Sequence, residues 1–398
     1  MPAQGALASR GMRSPRPLRV ALLLAVVGLA GAVGVSYGRA LLAPGTDTVA
    51  QRTVEWLRDQ GAGPLVDLAE QAWYAANEPE AGGEPDPSEL TAMVAQAPSA
   101  TPVFGPNDHR HRPPDPLVTP AAQPFPGEGQ WTPFGPLVSG LPSGYQTSIR
   151  PDEKHTSAVV RVLWLDPDAL RFMQYEGDKL EKPWVRGNHV TTTQQQNLVA
   201  AFSTGFRLSG SRGGFYLLGR EVRKLRRDAA SLVVDQQGRI AVGQVPRDYT
   251  LSELESVRQN LDLIVDDGKV WDKLIEQPNE QWGYTGPHNV TATWRSGAGV
   301  RADGTFLYVV GPALSIRTLA DTLVRAGAVR GMQLEINREW ISFNTYAPGP
   351  DGVVYGTKLD PKLEHPGDRY LTDDTREFMA AFVRPANLED PPLAAAVN

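Results

Sequence analysis

Residues 332–337 carry the strongest sign of chemistry in the chain. Apolar and polar residues alternate along this run, and Glu335 and Asn337 both belong to the polar set. Because successive side chains of a strand point to opposite faces, these two are expected to project from the same side. A carboxylate beside an amide at a strand end suits a sugar-processing or hydrolytic site, although a half-exposed strand with one wet face would show the same pattern.

Three other segments combine glycine with small, charged or aromatic residues. They are 202–207 with Ser203, 211–216 with Arg212, and 293–299 with Trp294 and Arg295. Glycine lets a ligand approach the backbone closely. Arg295 could hold a phosphate or a carboxylate through its forked guanidinium, and Trp294 could stack on a sugar ring. Ordinary turns, surface ion pairs and core packing would account for the same segments equally simply.

Composition and missing motifs narrow the choice of function. The formal net charge of -6 gives no reason to expect nucleic-acid binding. The chain contains no cysteine, which excludes disulfides, catalytic thiols and cysteine-based metal sites. Neither a Walker nor a Rossmann phosphate loop is present, and the Gly-x-Ser-x-Gly pattern of serine hydrolases is absent as well.

Six short motifs follow one another in order between about residues 155 and 346. They are FSTGFR at 202–207, GGFY at 213–216, ASLVV at 230–234, QNL at 259–261, WRSGAG at 294–299 and GAVRGMQLEIN at 327–337. In this order they resemble the phosphodiester glycosidase family, and more closely its membrane-anchored actinobacterial branch. The resemblance implies an exported hydrolase that breaks a sugar–phosphate diester on the sugar side.

The resemblance also implies roles for individual residues. Glu335 would activate water or stabilise an oxocarbenium-like centre, and Arg295, together with Arg212, would neutralise the developing phosphate charge. The implied substrate-binding residues are Ser203, Arg212, Trp294 and Asn337. No cofactor is required by the spacing. Some family members use a divalent metal, for which Glu335 with Asp266 or Asp267 could supply oxygen ligands.

Two positions depart from the usual family pattern. Ser203 stands where family members usually have Asn, and Glu335 stands where they usually have Asp. In many members a run of glycines ending in serine follows that Asp, whereas here the next four residues are Ile, Asn, Arg and Glu. A second function therefore stays open, in which the domain is a catalytically degenerate module that binds glycan or acts as a scaffold in the cell envelope.

The elements that must position these residues indicate an α+β domain over residues 137–385. Repeated strands joined by short glycine-containing turns predict a mixed, mostly antiparallel sheet. Helices are predicted at 194–201 and 315–326. The second helix, with strands at 305–310 and 329–336, predicts a β-α-β unit whose strands pair in parallel, in one mixed sheet rather than a sandwich.

The amino-terminal third predicts attachment to a membrane. Residues 1–17 form a short basic tail, and residues 18–38 form an apolar segment long enough to span a bilayer as an anchor, although cleavage after it as a signal peptide stays open. Positive charge on the amino side places that end in the cytoplasm and the folded domain outside.

The rest of the chain predicts linking and tail segments. Residues 39–136 contain amphipathic helices at 48–59 and 64–76, which could pack on the domain, lie on the membrane or pair with another copy, followed by a Pro/Gly-rich linker. A disordered tail is predicted at 386–398. The predicted partners are a cell-envelope glycan or sugar phosphate, and the membrane through a single helix.

Overall fold

The computed structural model describes residues 16–87, 112–276, 282–283 and 290–384. The chain divides into two compact units, one of residues 1–43 with 47–66 and one of residues 44–46 with 67–398. The predicted tail at 386–398, most of the predicted basic tail and part of the predicted linker lie outside the described residues.

The first unit contains helices α1 (Arg16–Leu41) and α2 (Val49–Leu57), and the start of α3 (Gly63–Ala76). Within α1, Val20–Leu41 is long and apolar enough to cross a membrane, and none of its most apolar window is buried. Thr48 begins α2 through a capping box with Gln51. Between α2 and α3, Gly61 has a φ of 84°, which breaks the helix as the glycine pattern predicts.

The second unit is built mainly from strands. Their bounds are β1 (Thr132–Val138), β2 (Leu141–Ile149), β3 (Val160–Leu165), β4 (Leu170–Tyr175), β5 (Leu198–Ser203), β6 (Phe215–Leu217), β7 (Arg220–Arg223), β8 (Ala230–Asp235), β9 (Ile240–Gln244), β10 (Leu254–Gln259), β11 (Leu263–Asp266), β12 (Lys269–Val270), β13 (Thr293–Arg301), β14 (Phe306–Leu314), β15 (Ala328–Ile336), β16 (Phe343–Pro348), β17 (Val354–Lys358) and β18 (Phe378–Val383). The helices are α4 (Thr192–Gln195), α5 (Asp272–Glu276) and α6 (Ile316–Arg325).

These strands form three sheets. Sheet A has the order β1-β2-β3-β14-β13-β15-β11-β12, sheet B the order β17-β16-β5-β18-β4, and sheet C the order β7-β6-β10-β8-β9. The helices together with antiparallel sheets confirm the α+β class. The predicted β-α-β unit is present, since β14 and β15 both run antiparallel to β13 and are therefore parallel to each other. The prediction that they pair directly is wrong, because β13 lies between them. The other edge of β14 is occupied by β3, so β14 has no edge free for β15.

Sheet A carries a different layer on each face. On its outer face α6 packs through Leu319 and Leu323, after Ser315 caps the helix in a box with Thr318. The inner face packs against sheets B and C, and there the rings of Phe202 and Phe306 stack with centroids 5.9 Å apart. The expectation of one mixed sheet instead of a sandwich is therefore corrected, since apolar residues on both faces of sheet A require cover.

Two boundaries differ from the sequence analysis. The helix predicted at 194–201 ends at Gln195, and β5 begins at Leu198 because its residues are buried between β16 and β18. The first strand of sheet A begins at Thr132, inside the range assigned to the linker.

Candidate functional site

Glu335 lies next to the end of β15, and only 2% of the residue is exposed. The register against β13 pairs Arg295 with Ile336 but Gly297 with Gln333, so β15 has one extra residue here. This bulge breaks the simple alternation of the strand. Leu334 belongs to the inner core, and Glu335 also reaches the inner face, where it interacts with Tyr308 of that core.

Arg376 is the cation paired with Glu335. Its Nη2 lies 3.2 Å from Glu335 Oε1 and 3.1 Å from the carbonyl oxygen of Gly205, to which it donates. The Arg376 guanidinium also lies over the Trp340 ring, 5.4 Å from its centroid, in a cation–π contact. Within the described part of the chain, Glu335 Oε1 has no aligned hydrogen-bond donor, so this acceptor is not fully satisfied.

Two further arginines lower the pKa of Glu335, although each is paired with another carboxylate. Arg258 of β10 donates from Nε to Glu377 Oε1 at 2.7 Å and also binds the carbonyl of Phe206. Arg369 donates hydrogen bonds to both carboxylate oxygens of Asp374, at 2.6 and 3.2 Å. Positive charge therefore surrounds Glu335, and Arg376 contacts its carboxyl group directly.

The environment of Glu335 favours its neutral form. Burial raises the pKa of the carboxyl group to about 8, because desolvation outweighs the opposing effect of Arg376, Arg258 and Arg369. Protonation of Glu335 does not remove its contact with Arg376, because an oxygen of a neutral carboxyl group can still lie next to a guanidinium. Burial likewise lowers the pKa of His365, with Arg369 and Arg376 acting in the same direction. Burial therefore shifts Glu335 toward the neutral carboxylic acid, beside the guanidinium of Arg376.

Ser203 is linked to Glu335 through Ser342 and Tyr370. The Ser342 backbone N–H donates to Ser203 Oγ at 3.2 Å, and the Ser203 N–H donates to the Ser342 carbonyl at 3.0 Å. The Ser342 side chain bonds Tyr370, which in turn interacts with Glu335. Two of the predicted site residues, Ser203 and Glu335, are thus brought to one region of the fold.

Asn337 and Trp294 are neighbours at the ends of their strands. The Asn337 N–H donates to the Trp294 carbonyl at 2.8 Å, and both side chains are half-buried. Asn337 has a φ of 75°, a left-handed conformation that Asn tolerates better than most residues. This conformation turns the chain away from β15 directly after Glu335 and Ile336.

Arg295 lies on the other face of sheet A. It is fully buried and donates to the Leu314 carbonyl at 2.8 Å, to Gln333 Oε1 at 2.6 Å and to the Thr291 carbonyl at 3.2 Å. The adjacent residue Ser296 points the opposite way and accepts the Glu335 N–H. Burial lowers the pKa of Arg295 to about 10. Arg376, rather than Arg295, holds the position predicted for the guanidinium facing Glu335.

Arg212, Asp266 and Asp267 are the remaining predicted site residues. Arg212 is exposed at a turn before β6, with a φ of 54°. Asp266 bonds Arg247 at 2.8 and 3.0 Å, and Asp267 is a turn residue. Among the described residues no group of three or more His, Asp or Glu is placed to hold a metal ion. A role for Arg212 in binding substrate stays a prediction.

Sequence reasoning missed the arginines of this site. Arg376 and Glu377 stand directly before β18, and Arg258 lies in β10, neither of which the strand pattern singled out. The available signal was weak. Arg376-Glu377 precedes the wholly apolar run 378–383, and charged residues at the start of a buried strand must find partners.

Comparisons with known proteins give distant likeness only. No family model matches the chain, and no curated protein matches it. Its structure is similar to the zebrafish N-acetylglucosamine-1-phosphodiester alpha-N-acetylglucosaminidase catalytic domain, auto-inhibited by its pro-peptide, with 10% identity and a TM-score of 0.39 over 57% of this chain and 78% of that chain.

Two other solved structures are similar at the same level. A protein from Synechocystis has 11% identity and a TM-score of 0.33, covering 64% of this chain and 62% of its own. An exported protein from Burkholderia pseudomallei has 16% identity and a TM-score of 0.31, covering 57% of this chain and 74% of its own. The likeness concerns the fold alone.

Proposed function

We propose that the folded domain is an extracytoplasmic hydrolase that cleaves the glycosidic bond of a sugar–phosphate diester in cell-envelope glycans. One observation carries the proposal. The carboxyl group of Glu335 is buried and stands 3.2 Å from the guanidinium of Arg376, and this burial raises its pKa to about 8. Perturbed acids beside a specific cation are concentrated at functional sites.

The two groups supply what this reaction needs. Cleavage on the sugar side releases a phosphate that carries negative charge, and the Arg376 guanidinium can bind it through a forked pair of donors. Neutral Glu335 can donate its proton to the bridging oxygen as the bond from that oxygen to the anomeric carbon breaks, as acids do in glycoside hydrolysis. Water adds to the anomeric carbon and releases a proton to solvent, and Glu335 regains its proton from solvent. The Trp340 ring beside Arg376 offers an apolar surface to the substrate. In the proposal, Ser203 and Asn337 orient sugar hydroxyls and Trp294 packs against the ring.

The test measures release of N-acetylglucosamine from the methyl diester of N-acetylglucosamine 1-phosphate by the full chain in detergent. Glu335→Gln and Arg376→Ala are compared with the wild type and with Arg317→Ala, a matched control whose side chain is exposed on α6. Turnover by the wild type and the control, and its loss in both site variants, supports the hydrolase. A wild type that releases no sugar from this or related sugar-phosphate diesters contradicts it.

A glycan-binding or scaffolding module is the second candidate function. The observation that favours it is the closure of the site, since Glu335 is almost fully buried and already faces Arg376. The replacements at Ser203 and Glu335 relative to the family pattern point the same way. Binding of cell-wall glycan by the wild type without any turnover would support this function in place of the hydrolase.

The proposed location follows from the amino-terminal helix. Val20–Leu41 is long and apolar enough to span a membrane. Arginines precede it at positions 10, 13, 16 and 19. The proposal therefore places the amino terminus inside, a single span, and the sheet-rich unit outside the cytoplasm. Fusion reporters at residue 5 and after residue 384 would test this orientation.

A further inference from the structure

Helix α3 exposes an apolar face, and its two buried residues, Val66 and Tyr74, lie outside that face. Leu65, Leu68 and Trp73 are 70%, 63% and 45% exposed. Together with the exposed Ala69, Ala72 and Ala76 they follow the i, i+3, i+4, i+7, i+8 and i+11 spacing of a single helix face. This is the reverse of the arrangement expected for a helix on a protein in water, whose apolar stripe faces the core.

The opposite side of α3 is the one that contacts protein. Tyr74 is 3% exposed and lies near enough to Arg295 to affect its pKa, while half-buried Glu70 raises the pKa of Glu339 by like-charge repulsion. Asp67 lies two residues from Leu65 and so does not share its face. Both acidic residues of α3 therefore avoid the exposed apolar face, which carries no charge.

We propose that this face of α3, formed by Leu65, Leu68, Ala69, Ala72, Trp73 and Ala76, lies in the surface of the lipid bilayer. The same chain carries α1, which is apolar enough to span a membrane and ends at Leu41, so only residues 42–62 separate that helix from α3. A bilayer surface is thus within reach of α3. Trp73 lies at the border of the face, where amphipathic rings settle at the headgroup level.

The composition of α3 specifies how it would bind lipid. It has no Lys or Arg, so attraction to anionic headgroups contributes nothing, and apolar insertion must supply the affinity. The binding is consequently expected to be the same in zwitterionic and anionic vesicles and to be insensitive to salt. Since Tyr74 of the same helix is buried, a lipid-seated α3 would also hold the residues that cover Tyr74 close to the headgroups.

The absence of cysteine makes the test direct, because a single introduced cysteine can be spin-labelled uniquely. The full chain is reconstituted in phosphatidylcholine vesicles with a label at Leu68→Cys or Ala72→Cys on the face, or at Asp67→Cys away from it. Val27→Cys in α1 serves as the lipid reference, and the exposed Val118→Cys as the water reference. Collision of each label with oxygen, which concentrates in lipid, is compared with collision with a water-soluble nickel chelate.

The proposal expects a several-fold higher oxygen-to-nickel ratio at Leu68 and Ala72 than at Asp67 and Val118, approaching the ratio at Val27. Adding phosphatidylglycerol should leave these ratios unchanged. Water-like ratios at Leu68 and Ala72 would overturn the proposal. Shielding of these labels from both reagents would also overturn it. In that case, spin–spin broadening that disappears on dilution with unlabelled protein would indicate a second copy on the face. Shielding without such broadening would indicate that the chain itself covers the face. Circular dichroism confirms that each variant is folded.

Discussion

Glu335 and Arg376 meet across two sheets, with 3.2 Å between carboxyl oxygen and guanidinium nitrogen. Glu335 belongs to β15 of sheet A, and Arg376 stands just before β18 of sheet B. Their contact therefore exists only when the two sheets are packed. The contact joins a carboxyl group whose pKa is raised by burial to a cation that partly opposes this shift.

Glu335→Gln is expected to abolish most turnover. The amide keeps the shape of the side chain but cannot donate a proton to the leaving oxygen, so the rate constant should fall by about 10²–10⁴-fold. Release of N-acetylglucosamine from the methyl diester measures it. Wild-type turnover in this variant, with the fold verified by circular dichroism, would exclude Glu335 as the acid.

The turnover rate is expected to fall at alkaline pH. Glu335 acts in its protonated form, so activity should be level below its pKa and decline as the pH rises through about 8. Arg376 holds that pKa down, and Arg376→Gln should move the alkaline limb of its residual activity to higher pH. A pH–rate profile of the two proteins checks this. An unmoved limb would mean that another group controls it.

Stability should also depend on pH through Glu335. Its pKa in the folded state, about 8, lies above the ordinary value of 4.5, so the stabilisation from the bound proton is complete below 4.5 and is lost as pH rises through about 8. Within that window, wild type should lose up to about 1.4 kcal/mol per pH unit relative to Glu335→Gln. Thermal unfolding of both proteins at pH 5 to 9 measures the difference. Parallel stability curves would contradict a raised pKa.

Arg295→Met separates a structural role from a catalytic one. The substitution leaves the buried Leu314 carbonyl, the buried Gln333 amide oxygen and the half-buried Thr291 carbonyl without this donor. Each unsatisfied group costs about 1–3 kcal/mol, so a loss of at least about 3 kcal/mol in stability is expected. Denaturant unfolding measures it, with exposed Arg317→Met as the matched control. A variant that keeps its stability but loses turnover would instead indicate that Arg295 takes part in catalysis.

Gly205→Ala tests the close approach between segment 202–207 and sheet A. A Cβ at Gly205, where φ is 130°, would lie 2.7 Å from Cγ of Asn260, whose amide bonds the carbonyls of Gln333 and Leu334 at 3.0 and 2.9 Å. We expect a loss of about 1–3 kcal/mol from the clash beyond the backbone strain. Gly219→Ala is the control, because its φ is 86° but no atom lies within 4 Å of the added carbon. Equal losses in both variants would exclude the clash.

Local pattern was enough for many of the elements. Alternation, glycine turns and the capped helix predicted β14, α6 and β15 with small errors at their ends, because backbone propensity and periodicity are properties of neighbouring residues. The same pattern singled out Glu335 as chemically notable. It also placed an apolar segment at the amino terminus, where α1 is found.

The tertiary structure decided which residues from distant segments contact one another. Alternation alone predicts Glu335 on the face of Gln333, but the bulge sends it inward, toward Arg376. The motif at 294–299 predicted Arg295 as the cation of the site. Strand geometry instead puts Arg295 on the other face of sheet A, where it donates to backbone carbonyls. A bulge and the packing of two sheets depend on contacts among residues far apart in the chain, and for that reason no local pattern encodes which arginine meets the acid.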